Sequence, residues 1–336
     1  MKFFVLIFIL IFSSGSNIAQ PNGKLKEILQ KRRESKQKEY EATKNLKQMS
    51  IVSEGRTRTY LLYVPHKTNP VNSLPLVFAF HGGGGSGSAF ANLTKFHELA
   101  ETEDFIVIYP DGTPNKSDGK RLWNDGRQGL EGDAFSQNIN DVKFIEDVIN
   151  KTKKEFNIDS KRIYATGLSN GAAFSHRLAA ELSSQIAAIA TMASGIGVPF
   201  NRTFNPSDPV SVFITQATKD PLSPYKSEGI VGSPRSGTIL NTEDTLNLWK
   251  KTNGIIGSGI NGSLPDINKD DGCKVETQTW TNGKNNTQIL FYKLIGGGHT
   301  WAGGAQYLPK SIIGSVCRDY NQTEVVWKFF KENYKR

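Results

Sequence analysis

Arg162-Ile163-Tyr164-Ala165-Thr166-Gly167-Leu168-Ser169-Asn170-Gly171-Ala172-Ala173-Phe174 is the stretch that decides how the chain is read. A β-branched and aromatic run stops at Gly167, and helix-forming residues continue from Ala172 to Leu182. Between them lies G-x-S-x-G, which in this setting describes a serine on a sharp strand-to-helix turn. Side chains at Gly167 or Gly171 would clash as strand and helix close on one another, and the serine itself takes a strained backbone conformation. In return its hydroxyl stands exposed at the tip of a sheet, above a helix N-terminus whose free N–H groups favour developing negative charge. Elsewhere the five-residue pattern can be an ordinary Gly/Ser turn. The flanking strand and helix make Ser169 the candidate nucleophile.

A serine hydroxyl needs a base to take its proton, and the base needs a carboxylate to hold one tautomer. In sheets of this kind the order along the chain is serine, acid, histidine. There are five histidines, His66, His81, His97, His176 and His299. Three precede the serine, and His176 lies seven residues after it on the same helix, pointing away from the turn. His299 remains, after a strand and three glycines. The acid is expected beyond a strand end between these two points. Asp220, after Val210–Thr215 and before Pro221, is chosen, with Asp244 second because a helix cap explains it. Backbone N–H groups must also meet the carbonyl oxygen as it becomes negative. Asn170, next to the serine, supplies one. Gly83, in the glycine run His81–Gly85, supplies the other, with Gly84 as an alternative. A phosphate-binding loop is excluded there because no Gly-Lys-Ser/Thr follows.

Working outward, Arg58–Val64, Leu74–Phe80, Phe105–Tyr109, Ile186–Met192, Val210–Thr215 and Gln288–Leu294 read as strands. Most are continuous apolar runs of the kind buried on both faces. Ala89–Thr102, Asp141–Phe156, Thr242–Lys251 and Thr323–Asn333 show helical apolar spacing. Alternation of the two predicts an α/β fold with a mostly parallel central sheet and helices on both faces. Gly254–Gly272, rich in Gly, Asn and Asp, reads as a surface loop.

Composition, 37% hydrophobic and 22% charged, describes a soluble globular protein. Lys2 and the apolar run Phe3–Phe12, followed by Asn17-Ile18-Ala19-Gln20, have the layout of a secretory signal peptide, half the length a membrane span needs. The expected organisation is a signal peptide over 1–19, a charged helical or disordered lead-in over 20–50, and one catalytic domain over 51–336. The product would be secreted or periplasmic, with no stable membrane insertion. Of the net charge of +9, Lys2 and the segment Lys24–Lys47 account for +6. Residues 51–336 therefore carry only +3, which argues against a nucleic-acid partner. Cys273 and Cys317 are read as a disulfide suited to an exported chain, with two free buried thiols as the alternative.

With these residues in place, the sequence resembles the esterase family that groups secreted feruloyl esterases with polyhydroxybutyrate-depolymerase-like esterases, of the carbohydrate esterase family one type. The resemblance runs from about Thr57 to Phe330. It rests on HGGGGSG (81–87), YPDGT (109–113), WND (123–125), DVKFI (141–145), RIYATGLSNGAAFSHRLA (162–179), KDPLSPY (219–225), GGGHTWAGG (296–304) and QYLPK (306–310). It implies an α/β-hydrolase fold, a Ser169–Asp220–His299 triad, no metal or organic cofactor, and hydrolysis of a polysaccharide-linked ester through an acyl-enzyme. Feruloyl esters are expected, with acetyl-xylan or hydroxybutyrate esters as alternatives. Gln216-Ala217 departs from the family's usual His-Gly. Trp301 is expected to flank the substrate, with Trp123 a weaker candidate. A peptidase, or a non-catalytic carbohydrate-binding protein on the same fold, are the rival readings.

Overall fold

A computed structural model describes residue 30 and residues 43–66, 72–225, 230–233 and 237–336. The chain divides into Met1–Glu41, of which only Gln30 is described, and the compact unit Ala42–Arg336. The expected signal peptide and most of the charged lead-in lie outside the described residues. Among the described residues no helix is long and apolar enough to cross a membrane.

Ten strands form the main sheet: β1 (Lys47–Ser53), β2 (Arg56–Tyr63), β3 (Leu74–Phe80), β4 (Ile106–Pro110), β5 (Ile158–Leu168), β6 (Ala188–Met192), β7 (Ser211–Ala217), β8 (Ile260–Ser263), β9 (Lys274–Trp280) and β10 (Ile289–Ile295). Their spatial order is β1-β2-β4-β3-β5-β6-β7-β10-β9-β8. The six strands from β4 to β10 in that order run parallel. An antiparallel pair closes each side. The parallel strands are covered on both faces over most of their length, and LPLVFAF in β3 is buried at every position.

Alternate residues of β3 feed two cores. Leu76, Phe78 and Phe80 belong to one, Val77 and Ala79 to the other. Six of the described helices pack onto the sheet: α1 (Gly87–Thr94), α2 (Phe96–Glu103), α3 (Asp141–Glu155), α4 (Asn170–Glu181), α5 (Thr242–Asn253) and α6 (Gln322–Glu332). The first core takes Phe144 and Ile145 of α3, Phe174 and Leu178 of α4, and Trp249 of α5. The second takes Phe90 of α1, Phe96 of α2, and Trp327 and Phe330 of α6.

The edges depart from the sequence reading. The sheet starts at Lys47, inside the stretch expected to be lead-in, so residue 51 is not where the folded body begins. Gly254–Gly272 is not all loop: Ile260–Ser263 pairs with β9 as an edge strand whose four residues are all exposed, and a strand without a buried face leaves no apolar alternation. The helix expected over Ala89–Thr102 is two helices, because Lys95 adopts φ 55°, ψ 29° between them. That break frees the Thr94 carbonyl to accept the Thr323 hydroxyl of α6 at 2.6 Å.

Cys273 and Cys317 form a disulfide, closing 44 residues of sequence separation, and such a link stabilises a fold by about 2–4 kcal/mol. Two of the buried histidines, His81 and His176, make a prediction. Burial lowers the pKa of His176 from 6.5 to about 3 and that of His81 from 6.5 to about 4. As pH falls the unfolded chain takes these protons first. The stability is therefore complete above about 6.5 and declines on acidification through the window down to about 4. Urea-unfolding free energies measured across that window should fall with a slope approaching two protons, and His176→Gln should remove about one of them. An unaltered slope in the variant would mean that the ring is not held neutral.

Candidate active site

The carboxyl ends of parallel strands share one edge of a sheet, which is where open α/β folds build their sites. β3 runs into His81–Gly85, β5 into Ser169, β7 into Asp220 and β10 into His299, so four segments distant in sequence arrive at one edge. At the end of β5, Ser169 takes φ 57°, ψ −122°, a conformation costly for a residue with a Cβ. Its amide donates to the Met192 carbonyl of β6 at 2.9 Å, and its carbonyl accepts from Ala173 in α4 at 3.0 Å. A methyl group at Gly167 would lie 2.5 Å from the Gly171 carbonyl, and one at Gly171 would lie 2.4 Å from the Phe80 carbonyl oxygen. The turn therefore closes only with glycine at both positions.

His299 and Asp220 are brought together. The Nδ1 nitrogen donates to Asp220 Oδ2 at 2.8 Å, and both side chains are buried. Asp220 Oδ1 accepts from the amides of Leu222 and Ser223 at 2.8 and 2.7 Å. The carboxylate is thus held by three donors, and the proton it draws onto Nδ1 leaves Nε2 as the acceptor. Gln216, at the family-divergent position, donates through Nε2 to the Ser223 carbonyl at 3.1 Å and fastens the acid's turn from beneath. Asp244 instead belongs to the first turn of α5, where Asn241 caps the helix and donates to Asp244 Oδ2 at 2.9 Å.

The glycine loop is a tight turn. Gly85 donates to the Gly82 carbonyl at 3.0 Å and Gly84 has φ 77°, which a glycine supplies without strain. The Gly84 amide is committed to the Arg121 carbonyl at 2.8 Å, whereas among the described residues neither the Gly83 nor the Asn170 amide has an acceptor. Of the two glycines considered, Gly83 is therefore the one with an N–H to offer. A Cβ at Gly83 would stand 3.8 Å from Asn170 Cβ, and one at Gly82 would stand 3.5 Å from Ser169 Cβ, so the loop lies against the serine turn. His81 fixes it: Nδ1 donates to the Gly82 carbonyl at 2.7 Å while Nε2 accepts from the Gly112 amide at 3.0 Å, as only a neutral ring can. Beneath, the Asn170 side chain bonds both backbone groups of Trp123, at 2.8 and 2.9 Å, and donates to Asp125 at 2.7 Å.

Ser169, His299 and Gly83 line one cavity of about 290 Å³, whose remaining walls include Phe90, Leu93, Leu222, Tyr307, Leu308 and Ile313. Among the described residues no Lys, Arg, Asp or Glu lines it. Trp301 does not line it either. That side chain is buried in the second core, its Nε1 donating to Thr323 Oγ1 at 3.0 Å and its ring meeting Phe90 edge-on, so packing rather than substrate contact accounts for it. Trp123 is buried too, stacked on Phe174 and donating to the His81 carbonyl at 3.0 Å. What the sequence reading missed was the apolar rim. Leu222, Tyr307 and Leu308 line the cavity with large, partly exposed apolar side chains. Their signal was present in QYLPK and in the apolar residues that follow His299 in a segment without helical or strand spacing.

Tyr307 also reaches the histidine. Its hydroxyl donates to the His299 carbonyl at 2.8 Å, and the His299 amide donates to the Ile313 carbonyl at 2.6 Å. One excursion of the chain therefore satisfies both backbone groups of His299. Burial and the nearby Asp220 push the Tyr307 pKa up to about 12, so the hydroxyl stays a donor through the neutral range. Tyr307→Phe should lose one hydrogen bond, about 1 kcal/mol. The expected readout is a several-fold lower kcat with KM little changed, since the ring stays. A KM effect without a kcat effect would show that the hydroxyl meets substrate instead.

A strained serine turn, a His–Asp pair on later strand ends and a largely parallel sheet covered on both faces together define the α/β-hydrolase class. Within it, residues 58–225, half of the chain, match the family described as Esterase PHB depolymerase, and the chain belongs to that family; it is a carboxylic ester hydrolase. NocK of Nocardia uniformis subsp. tsuyamanensis, which carries an esterase designation, is 24% identical over 83% of this chain and 80% of its own length. Feruloyl esterase B of Piromyces equi is 25% identical over 68% of this chain, a span that covers 40% of that protein. Among solved structures, the acetyl xylan esterase from Aspergillus awamori superposes with a TM-score of 0.53 at 18% identity, covering 76% of this chain and 94% of that one, a likeness of fold alone.

Proposed function

We propose that the protein is a secreted serine esterase in which Ser169 is the nucleophile, His299 the base and Asp220 the residue that orients it. The ester carbonyl carbon is attacked by Ser169 Oγ as the hydroxyl proton passes to His299 Nε2. The oxygen that becomes negative is met by the Gly83 and Asn170 amides, each such donor being worth about 3 kcal/mol in the transition state. Asp220 stabilises the imidazolium. Collapse breaks the bond to the alcohol, which leaves with the proton from His299. Water, deprotonated by the same ring, then attacks the acyl-serine and releases the acid. The observation that carries this reading is the His299–Asp220 hydrogen bond behind a cavity that Ser169 shares.

The acyl group we favour is feruloyl or a related aromatic acid carried on plant polysaccharide. A cavity walled by Phe90, Leu93, Tyr307 and Leu308 suits an apolar acyl group larger than acetyl. Likeness to a feruloyl esterase supports the same choice. The leucines of the wall also suit an aliphatic hydroxybutyrate ester, which is the second reading. Export is supported by the disulfide and by the apolar N-terminal run. Initial rates on methyl ferulate, an acetylated xylan and a hydroxybutyrate oligomer test the proposal. The highest kcat/KM is expected for the ferulate, and a preference for acetylated xylan would overturn the assignment of the acyl group.

A further inference from the structure

We propose that the cleft between residues 126–138 and residues 199–203 binds the sugar chain that carries the ester, a neutral oligosaccharide of pyranose units; the identity of this ligand rests on the esterase reading above. The cleft measures about 840 Å³ against about 290 Å³ for the cavity at Ser169. The larger volume suits the larger half of such a substrate. Its lining differs in kind as well, since Asn124, Arg127, Gln128, Arg177 and Arg202 join Phe200 there. Planar hydrogen-bonding groups beside an aromatic ring match a ligand with hydroxyls at its rim and C–H groups on its faces.

The walls are fixed before any ligand arrives. Arg177 donates to the Asn124 carbonyl at 3.0 Å and to Glu181 at 2.6 Å, with its guanidinium 5.8 Å from the Phe200 ring centre. Arg127 holds both oxygens of Asp125 through Nε, at 2.9 and 2.8 Å. With Arg127 matched by Asp125 and Arg177 by Glu181, the charges left over are Arg202 and the lining Glu131, one of each sign. That balance favours a neutral ligand over an anionic one.

Position completes the case. The Leu122 side chain lies between the two sites: a Cβ at Gly83 would be 3.2 Å from one of its methyls, and a Cβ at Gly132, on the cleft wall, 2.5 Å from the other. The cleft therefore begins one side chain away from the amide assigned to the carbonyl oxygen. Asp125 links them a second time, since it also accepts from the Asn170 side chain under the serine turn.

The test titrates the full chain carrying Ser169→Ala with xylohexaose by calorimetry, then repeats it with Arg202→Ala or Phe200→Ala added. Arg202 is exposed, so its variant keeps the test informative if Phe200→Ala fails to fold. Each is expected to weaken binding by about tenfold. In parallel, on the active chain, Arg202→Ala should lower kcat/KM for a feruloylated xylo-oligosaccharide relative to methyl ferulate by a similar factor. Undetectable xylohexaose binding, or an affinity and a ratio that the variants leave unmoved, would overturn the proposal. Were the wild-type chain to bind xylohexaose through Arg202 yet hydrolyse neither ester, the cleft would stand and the esterase reading would fall.

Discussion

Ser169→Ala is expected to lower kcat for ester hydrolysis by roughly four to six orders of magnitude while the protein unfolds at an unchanged urea concentration. The loss is large because, in the proposed mechanism, the Ser169 oxygen does not assist an otherwise feasible route but is the atom to which the acyl group is transferred. The His299–Asp220 pair and the two amides survive the substitution, and what they accomplish with water alone is the residue of activity left behind. His299→Ala should fall nearly as far, because an unassisted serine hydroxyl is a poor nucleophile near neutrality. Combining the two should add little, as groups that act as one unit are not additive. Steady-state rates on methyl ferulate check all three variants. Retention of roughly a tenth of the activity in Ser169→Ala would place the chemistry elsewhere.

A second large effect is expected from a single methyl group. In Gly171→Ala the new carbon would lie 2.4 Å from the Phe80 carbonyl oxygen and 2.5 Å from that of His81. Both contacts are backbone, so no side chain can swing aside, and relief requires the end of β3 to part from the start of α4. That movement also draws Gly83 away from Ser169. Stability should fall by about 3 kcal/mol or more, with a further loss in kcat of about a hundredfold as the carbonyl oxygen loses a donor. Gly119→Ala serves as the comparison. There φ is 70° but a methyl meets nothing within 4 Å, and the expected cost is the left-handed strain alone, about 1 kcal/mol. Equal urea midpoints for the two variants would contradict the close approach of loop and turn.

The centre of this fold was easy to read and its margins were not, for one physical reason. Strands such as Leu74–Phe80 are covered on both faces and declare themselves as unbroken apolar runs. Lys47–Ser53 and Ile260–Ser263 lie at the sheet's two edges, are mostly exposed, and carry sequences hard to tell from a charged lead-in or a polar loop. The break at Lys95 likewise answers to a contact with α6 more than two hundred residues away, which local spacing cannot register. In the site, chain order and the scarcity of histidine pointed to Ser169 and His299. Asp220 followed from its place after a strand. The choice between Gly83 and Gly84 needed coordinates, because it depends on which amide Arg121 has already engaged. The cavity walls were the least legible part. Apolar residues from α1, from the turn after Asp220 and from the QYLPK segment meet there only after folding, and Trp301, which looked like a wall, is instead packed behind it.

Intact-mass and peptide mass spectrometry after brief exposure to a fluorophosphonate would test the central claim most directly, since such a probe bonds fastest to a serine whose proton is being removed. One adduct per chain on the peptide bearing Ser169, forming far more slowly in His299→Ala, is the predicted result. Adduct on another residue, or labelling of Ser169 at the same rate without the imidazole, would contradict it.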